Sequence, residues 1–398
     1  MKEHAKAASI YNDVVILYAC GDTSSQNRNL FRMIEAEHDG IRTYGVMYGG
    51  VIISFWRKLS GKNTQGSNLA RSFVETSTKN EVLRITQSIF GKSLYLCSLF
   101  IGFRSLLKKG WKPDIIHSHV STSSLPAVLL GTCYGIPIIV TEHWSGFPKR
   151  ILTFIEKIKA RYVLKRAKMI LPVSNFLKES MEAYGIKGEF RIVPNPINMD
   201  IFNLSTKVVH NDKSKKKILL VTSLLIPQKG LSILLYALKT ISQKRSDFIL
   251  NIIGAKVKGY NYEELVQTLR LENVVKFQGY ATSQEVAVWM QNCDFFVQPS
   301  LMETFGVVYI EAMACGKPVV GADLPVLREI VSKDSGVLVA PGDVESLENG
   351  IEYMLDNFQN YSSQKIANYI KCKFDYETVG NMLNSAYRDT LGMNNIAN

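Results

Sequence analysis

Short apolar, β-branched runs alternate with longer helix-like stretches through the first half of the chain, at residues 13–20, 41–48, 114–120, 137–143, 169–174 and 191–194. That alternation predicts βαβ units and a mainly parallel sheet. The segment Val193-Pro194-Asn195-Pro196-Ile197-Asn198 breaks the rhythm, because each proline forces extended backbone before it. It reads as the first crossing between domains. After a polar stretch ending at Lys213-Ser-Lys-Lys-Lys217, a second series begins with an expected strand at 218–225 and continues at 248–254, 274–280, 295–299, 318–321 and 336–339. Between the first two of these, Leu231, Leu234, Leu235, Leu238 and Ile241 fall on one face of an expected helix. The fold class is therefore α/β, with two Rossmann-like, doubly wound domains facing across a cleft. The boundaries fall at 1–195 and 196–376, and a helix near 377–392 returns to the first domain. In such sheets ligands bind outside the carboxyl ends of the strands, so chemistry is expected on strand-end loops.

Composition agrees with two cores rather than one, since 398 residues exceed what a single core usually holds. A hydrophobic content of 46% with 21% charged residues is that of a folded chain. No segment reaches the roughly 20 apolar residues of a membrane span. The run at 14–20 leads into Gly21-Asp22 without a small-residue cleavage site and reads as a first strand, not a secretory signal. Six scattered cysteines lack C-x-x-C spacing, which argues against a disulfide framework and a zinc site and fits a reducing cytoplasm.

The net charge of +12 is unevenly held: residues 1–205 carry 27 Lys/Arg against 15 Asp/Glu, and residues 206–398 carry 20 against 20. Such asymmetry points the first half at a polyanion. No RNP-like, helix-turn-helix or zinc-finger pattern accompanies it, which leaves an anionic membrane surface rather than nucleic acid. Within 149–168, Ile151, Ile155, Ile158 and Tyr162 form one helical stripe and Lys157, Arg161, Lys165 and Lys168 an adjacent one. Two readings stand: a helix lying on anionic lipid, or one packed on its sheet with a solvated basic face.

The densest chemical signal is Gln298-Pro-Ser-Leu-Met-Glu303-Thr-Phe-Gly306-Val-Val-Tyr-Ile-Glu311-Ala-Met-Ala-Cys-Gly-Lys-Pro-Val-Val320. A strand should end near Pro299, a loop carry Glu303, and a helix open near Gly306 and stop at Gly316-Lys-Pro318. Free backbone N–H groups near Phe305, Gly306 and Val307 then offer a pyrophosphate site. Glu311, one and a half turns on, reaches a sugar hydroxyl beside it.

Glu303 and Glu311 reproduce an E-x7-E signature, and the chain resembles the retaining family 4 glycosyltransferases of GT-B fold. Pro113-Asp-Ile-Ile-His-Ser-His119, Ile139-Val-Thr-Glu-His143, Pro227-Gln-Lys-Gly230 and Val339-Ala-Pro-Gly-Asp343 stand in that family's order. The resemblance implies a hexose-type transfer from a nucleotide-sugar, UDP favoured over GDP, to a glycan or lipid-linked acceptor in cell-surface polysaccharide synthesis. It gives Glu303 the transferred sugar, Glu311 the ribose hydroxyls and Lys229 the donor diphosphate. Thr304, Phe305, Gly306, Val307, Tyr280 and Gly21 join the donor site. The family's phosphate-binding arginine is replaced by Leu224, with Lys256 or Lys258 as substitutes. His143 is expected to reach the donor sugar as a third catalytic residue. His117 and His119 are expected on alternate faces of their strand, which leaves His119 for the cleft. Without metal-ligand spacing or a D-x-D pair, no metal and no cofactor are expected. Localisation is expected to be cytoplasmic, at the inner face of the membrane. A noncatalytic sugar-nucleotide-binding subunit and a GT-B sugar-nucleotide epimerase are the competing functions.

Overall fold

A computed structural model describes residues 2–21, 31–48, 81–204, 217–222, 224–257 and 259–393. The first half runs α1 Lys2–Ser9, β1 Val15–Gly21, β2 Phe31–His38, β3 Ile41–Tyr48, α2 Glu81–Lys108, β4 Ile116–His119, α3 Leu125–Tyr134, β5 Ile138–Glu142, α4 Phe154–Arg166, β6 Met169–Pro172 and α5 Asn175–Ala183. In the second half follow β7 Lys217–Thr222, α6 Leu231–Lys244, β8 Phe248–Ile253, α7 Tyr262–Thr268, β9 Val275–Gly279, α8 Ser283–Asn292, β10 Phe295–Gln298, α9 Val307–Ala314, β11 Val319–Ala322, α10 Pro325–Arg328 and β12 Gly336–Val339. The chain closes with α11 Val344–Asn357, α12 Ser363–Phe374 and α13 Tyr376–Thr390.

The second half is built on one parallel sheet in the order β12-β11-β10-β7-β8-β9. Helices cover both faces, so its strands read as continuous apolar runs; Phe295, Phe296 and Val297 of β10 are fully buried. Helix α6 turns Leu231, Leu234, Leu235, Leu238 and Ile241 into this core, each at most 2% exposed. Each such side chain contributes about 1.5–3 kcal/mol by leaving water. Strand order reverses between β7 and β10, and that switch point opens a crevice at the carboxyl ends of both strands.

The first half departs from a single continuous sheet. Parallel strands β4, β5 and β6 form one three-stranded sheet, and β1-β3-β2 form another in which β2 runs antiparallel to β3. The β2–β3 hairpin turns through Asp39 and Gly40, both at positive φ (53° and 76°). An Asp-Gly pair is the residue choice for such a turn, and it is the signal in the sequence for the strand that periodicity did not register. Phe103, Leu130 and Ile136 bury against Leu17 and Ile116, which joins the two sheets. The expected strand at 191–194 is instead extended chain beside β6, where Arg191 N donates to Ile170 O at 3.0 Å and Val193 N to Pro172 O at 3.2 Å. Proline at 194 and 196 offers no N–H to extend that ladder.

The last helix leaves the second half and packs on the first. Helix α13 lies against α1, Tyr387 Oη pairs with His117 Nδ1 at 2.8 Å, and Arg191 pairs with Asp389. Where the chain crosses between halves, Ile197 N donates to Phe374 O at 2.8 Å. No described helix is long and apolar enough to cross a membrane.

The loop after β7 approaches the end of β10 so closely that Gly230, at φ 72°, leaves no space for a side chain: an added Cβ would lie 2.0 Å from the Pro299 carbonyl oxygen. Gly230→Ala is therefore expected to cost more than about 2 kcal/mol, through left-handed backbone and steric overlap together. A denaturant titration within about 0.5 kcal/mol of the parent would contradict this close approach.

Candidate active site

Two loops flanking the switch point carry the first group of functional side chains. Gln298 Nε2 donates to Lys229 O at 2.7 Å and Leu301 N to Gln228 O at 2.9 Å, so one side-chain and one backbone donor stitch the loops together. That places Lys229 Nζ 2.7 Å from Glu303 Oε1, and the Ser300 hydroxyl donates to the same oxygen at 2.8 Å. Tyr309, fully buried, donates its hydroxyl to the Gln298 carbonyl and fixes the strand end from below. Gln298 and Ser300 are fully buried polar residues that motif matching did not select. Their signal was polarity at the end of an otherwise apolar strand.

Helix α9 begins at Gly306, whose φ of 89° lets the chain turn sharply out of the Glu303 loop. The N–H groups of Gly306, Val307 and Val308 meet no acceptor among the described residues. Together with the positive end of the helix dipole they leave unmatched donors at the helix start. The Phe305 ring does not face it; it is buried, edge-on to Phe374 with centroids 5.7 Å apart. Thr304 turns its carbonyl to the first half, accepting from Ser174 Oγ at 2.9 Å.

Beside the helix start lies a cavity of about 270 Å³ lined by Phe202, Leu224, Ile253, Tyr280, Val308 and Glu311. Tyr280 stands at its mouth, 79% exposed. No donor among the described residues reaches the Glu311 carboxyl, and desolvation, with Glu3 adding repulsion, pushes its pKa up to about 8. Leu224 contributes apolar wall where the resemblance would place a cation. Lys256 is turned to Glu263 at 2.7 Å on the surface, and Lys258 lies outside the described residues. Gly21 ends β1 opposite Tyr48 of β3, and the loop after it is likewise outside them.

The histidines form a separate group with no hydrogen bond or ring contact to Lys229 or Glu303. His117 and His119 share one face of β4 rather than alternating, because residues two apart in a strand point the same way. Their rings stack at 4.8 Å, and His119 stacks in turn on His143 at 5.3 Å. His117 is spent on structure, between Tyr387 Oη and Thr141 Oγ1 at 2.8 and 2.7 Å. Burial lowers its pKa to about 3 and lowers those of His119 and His143, so all three rings are neutral near pH 7.

Beneath them Glu142 is fully buried and accepts four hydrogen bonds, from Ser121 N and Oγ (2.9 and 2.6 Å), His143 N (3.1 Å) and Trp144 N (3.0 Å). Ser121 is aimed at it by Val120, a β-branched residue held at φ 67°. This carboxylate thus ties together the ends of β4 and β5 and positions His143.

Of the two readings of the α4 stripe, packing on the sheet is not what the structure shows. Ala160, Val163 and Leu164 form its buried side, whereas Phe154, Ile155 and Ile158 are 77%, 63% and 52% exposed. The apolar stripe with its basic neighbours faces away from the protein.

Residues 204–371 match the family model for glycosyl transferases group 1, and residues 70–201 that for glycosyltransferase family 4. An uncharacterized glycosyltransferase of Methanocaldococcus jannaschii is 31% identical over 252 residues, covering 61% of this chain and 66% of that protein. The phosphatidyl-myo-inositol mannosyltransferase of Mycobacterium leprae is 28% identical over 247 residues, covering 61% and 64%. The aligned region thus spans just under two thirds of each relative. Among solved structures, the sucrose-phosphate synthase of Thermosynechococcus elongatus superposes with a TM-score of 0.71 at 20% identity, covering 98% of this chain and 92% of its own. Anabaena HepE in complex with UDP-glucose superposes with a TM-score of 0.61 at 22% identity, covering 72% and 82%. These likenesses establish the GT-B fold.

A carboxyl raised from 4.5 to about 8 on folding supports the folded state fully below pH 4.5 and withdraws that support as pH rises through 8. Glu311→Gln removes the ionisation. Its thermal midpoint relative to the parent should therefore climb between about pH 5 and pH 8 and level off above that. A difference that stays flat over that range would refute the burial of this carboxyl.

Proposed function

Both halves of the chain match glycosyltransferase family models on a GT-B fold, and from that premise we propose a retaining transfer of a hexose-type sugar from a nucleotide-sugar to a glycan or lipid-linked acceptor. The observation that carries this reading is the Lys229–Glu303 pair at the switch point, next to the three unpartnered amides of α9. A donor diphosphate seated on those amides takes Lys229 as its counter-ion. Glu303, released from the lysine, then faces the transferred sugar. The apolar cavity accepts the nucleoside, with Tyr280 against the base and Glu311 accepting from the ribose hydroxyls. UDP is favoured over GDP by the UDP-glucose held in the HepE neighbour.

In the transfer step the bond from the anomeric carbon to the diphosphate oxygen breaks, and its electron pair leaves with the nucleotide. The acceptor hydroxyl attacks the same face and passes its proton to the departing phosphate. Lys229 and the helix amides meet the growing negative charge, and Glu303 meets the positive charge on the sugar. His143, neutral and held over the cleft by Glu142, is available to hydrogen-bond the donor sugar. No metal is assigned to this step.

The exposed face of α4 supports a lipid-linked acceptor. Phe154, Ile155 and Ile158 exposed beside Lys157, Arg161 and Lys165 make a surface that suits the acyl–headgroup boundary of anionic lipid. The protein then works peripherally at the cytoplasmic face of a membrane.

Glu303→Gln is expected to lower turnover about 10²–10³-fold while changing donor affinity less than about tenfold. Lys229→Ala is expected to weaken donor binding about tenfold or more, as befits a charge-assisted contact. Labelled donor incubated with membrane extract separates the alternatives. Sugar reaching the extract supports transfer; interconversion of the sugar nucleotide with no nucleotide released indicates an epimerase; donor binding without turnover indicates a noncatalytic subunit. In co-sedimentation, a Phe154→Glu/Ile155→Glu double variant should lose at least about tenfold in affinity for anionic vesicles. Equal binding by variant and parent would rule out α4 as the lipid contact.

A further inference from the structure

Three imidazoles converge where the sequence offers no local spacing to announce them. His4 comes from α1, His119 from the end of β4 and His143 from the turn after β5, and one ring nitrogen of each lies within 4.8 Å of the others. The three rings adjoin, with centroid distances of 5.4 Å (His4–His119), 5.3 Å (His119–His143) and 6.1 Å (His4–His143). His4 is 2% exposed, and His4 Nε2 and His119 Nδ1 are buried with no hydrogen-bond partner. Polar nitrogens left unmatched in a protein interior are costly, and a shared ligand is the simplest way to match two at once.

We propose that His4, His119 and His143 form a binding site for one divalent first-row transition metal of the zinc class. Imidazole donors without thiolate or several carboxylates suit zinc, cobalt, nickel or copper rather than magnesium or calcium. Zinc–nitrogen bonds of about 2.0–2.1 Å in a tetrahedron set ligand nitrogens about 3.4 Å apart. The nitrogens lie within 4.8 Å of one another, so the rings must turn toward a common point to reach that value. A ring N–H of His143 donates to the Asn195 side chain, the kind of outer contact that orients a metal-bound imidazole. Occupancy fastens the N-terminal helix to the strand ends of β4 and β5 and leaves a fourth position for water. The site lies apart from Lys229, Glu303 and the α9 amides but shares His143 with the proposed donor-sugar contact, so metal binding and that contact exclude one another.

The test uses the full chain stripped with a chelator and titrated first with cobalt(II), then with zinc(II), without nucleotide or acceptor, so its outcome is independent of the proposed transfer. The expected result is one cobalt per chain with the visible absorption of a tetrahedral site, displaced by one equivalent of zinc, and a thermal midpoint raised by several degrees. His4→Gln and, separately, His119→Gln should each weaken zinc binding at least a hundredfold, whereas His38→Gln, at an exposed histidine of β2, should not change it. Circular dichroism in chelator identifies a variant that does not fold, and in that event the parent's stoichiometry and spectrum decide. Absence of cobalt binding by the parent overturns the proposal. So does undiminished binding by a folded His4→Gln variant, or an equal loss in His38→Gln.

Discussion

One carboxylate oxygen organises the second half's chemistry: Glu303 Oε1 is held at once by the Lys229 ammonium and the Ser300 hydroxyl. The contact exists because two loops, from strands adjacent in the sheet but far apart in sequence, approach until only glycine fits at position 230. That approach depends on the parallel sheet reversing its order there, which in turn depends on apolar strands covered on both faces. Remove the close crossing and the lysine loses its partner. The free protein therefore stores this cation neutralised, partly buried beside an anion of its own, and in the proposed donor complex a diphosphate competes with Glu303 for it. In that proposal the amides of α9 tip the competition, since their partial positive charges find no other acceptor among the described residues.

Much of this was legible in the chain. Strands that are buried on both faces announce themselves as apolar runs, and the α6 stripe of leucines at helical spacing identified its own buried face. The loop bearing Glu303 and the helix bearing Glu311 were set by local signals, a strand end and a glycine entry. Features that depend on tertiary contact were hidden. His4 belongs to a short helix whose role appears only when β4 and β5 bring His119 and His143 beside it. Alternation was misapplied to His117 and His119, which share a face, and the stacked trio follows from that. The stripe on α4 had two readings because periodicity reports that a face is apolar but not what covers it. The face that packs is the smaller one of Ala160, Val163 and Leu164.

Two kinds of tension coexist across the cleft. The first half buries neutral imidazoles over a carboxylate with four donors, while the second leaves the half-buried Glu311 with none among the described residues. The first arrangement is locked, since Glu142 has spent its oxygens on the chain itself and Val120 is held in a costly conformation to supply two of the donors. The second is open, and an unsatisfied acceptor beside an apolar cavity is what a hydroxyl-bearing ligand completes. Rigidity on one side and unmet polar capacity on the other divide the labour between positioning and capture.

The chain passes between its halves near residue 197 and again near residue 374, and the Ile197–Phe374 hydrogen bond ties the two passages together. A single tether would let one lobe spin about the connecting strand. A doubled and bonded tether acts as a door hinge, with a fixed axis through both passages. Relative motion of the halves is thereby limited to one angular coordinate about both passages.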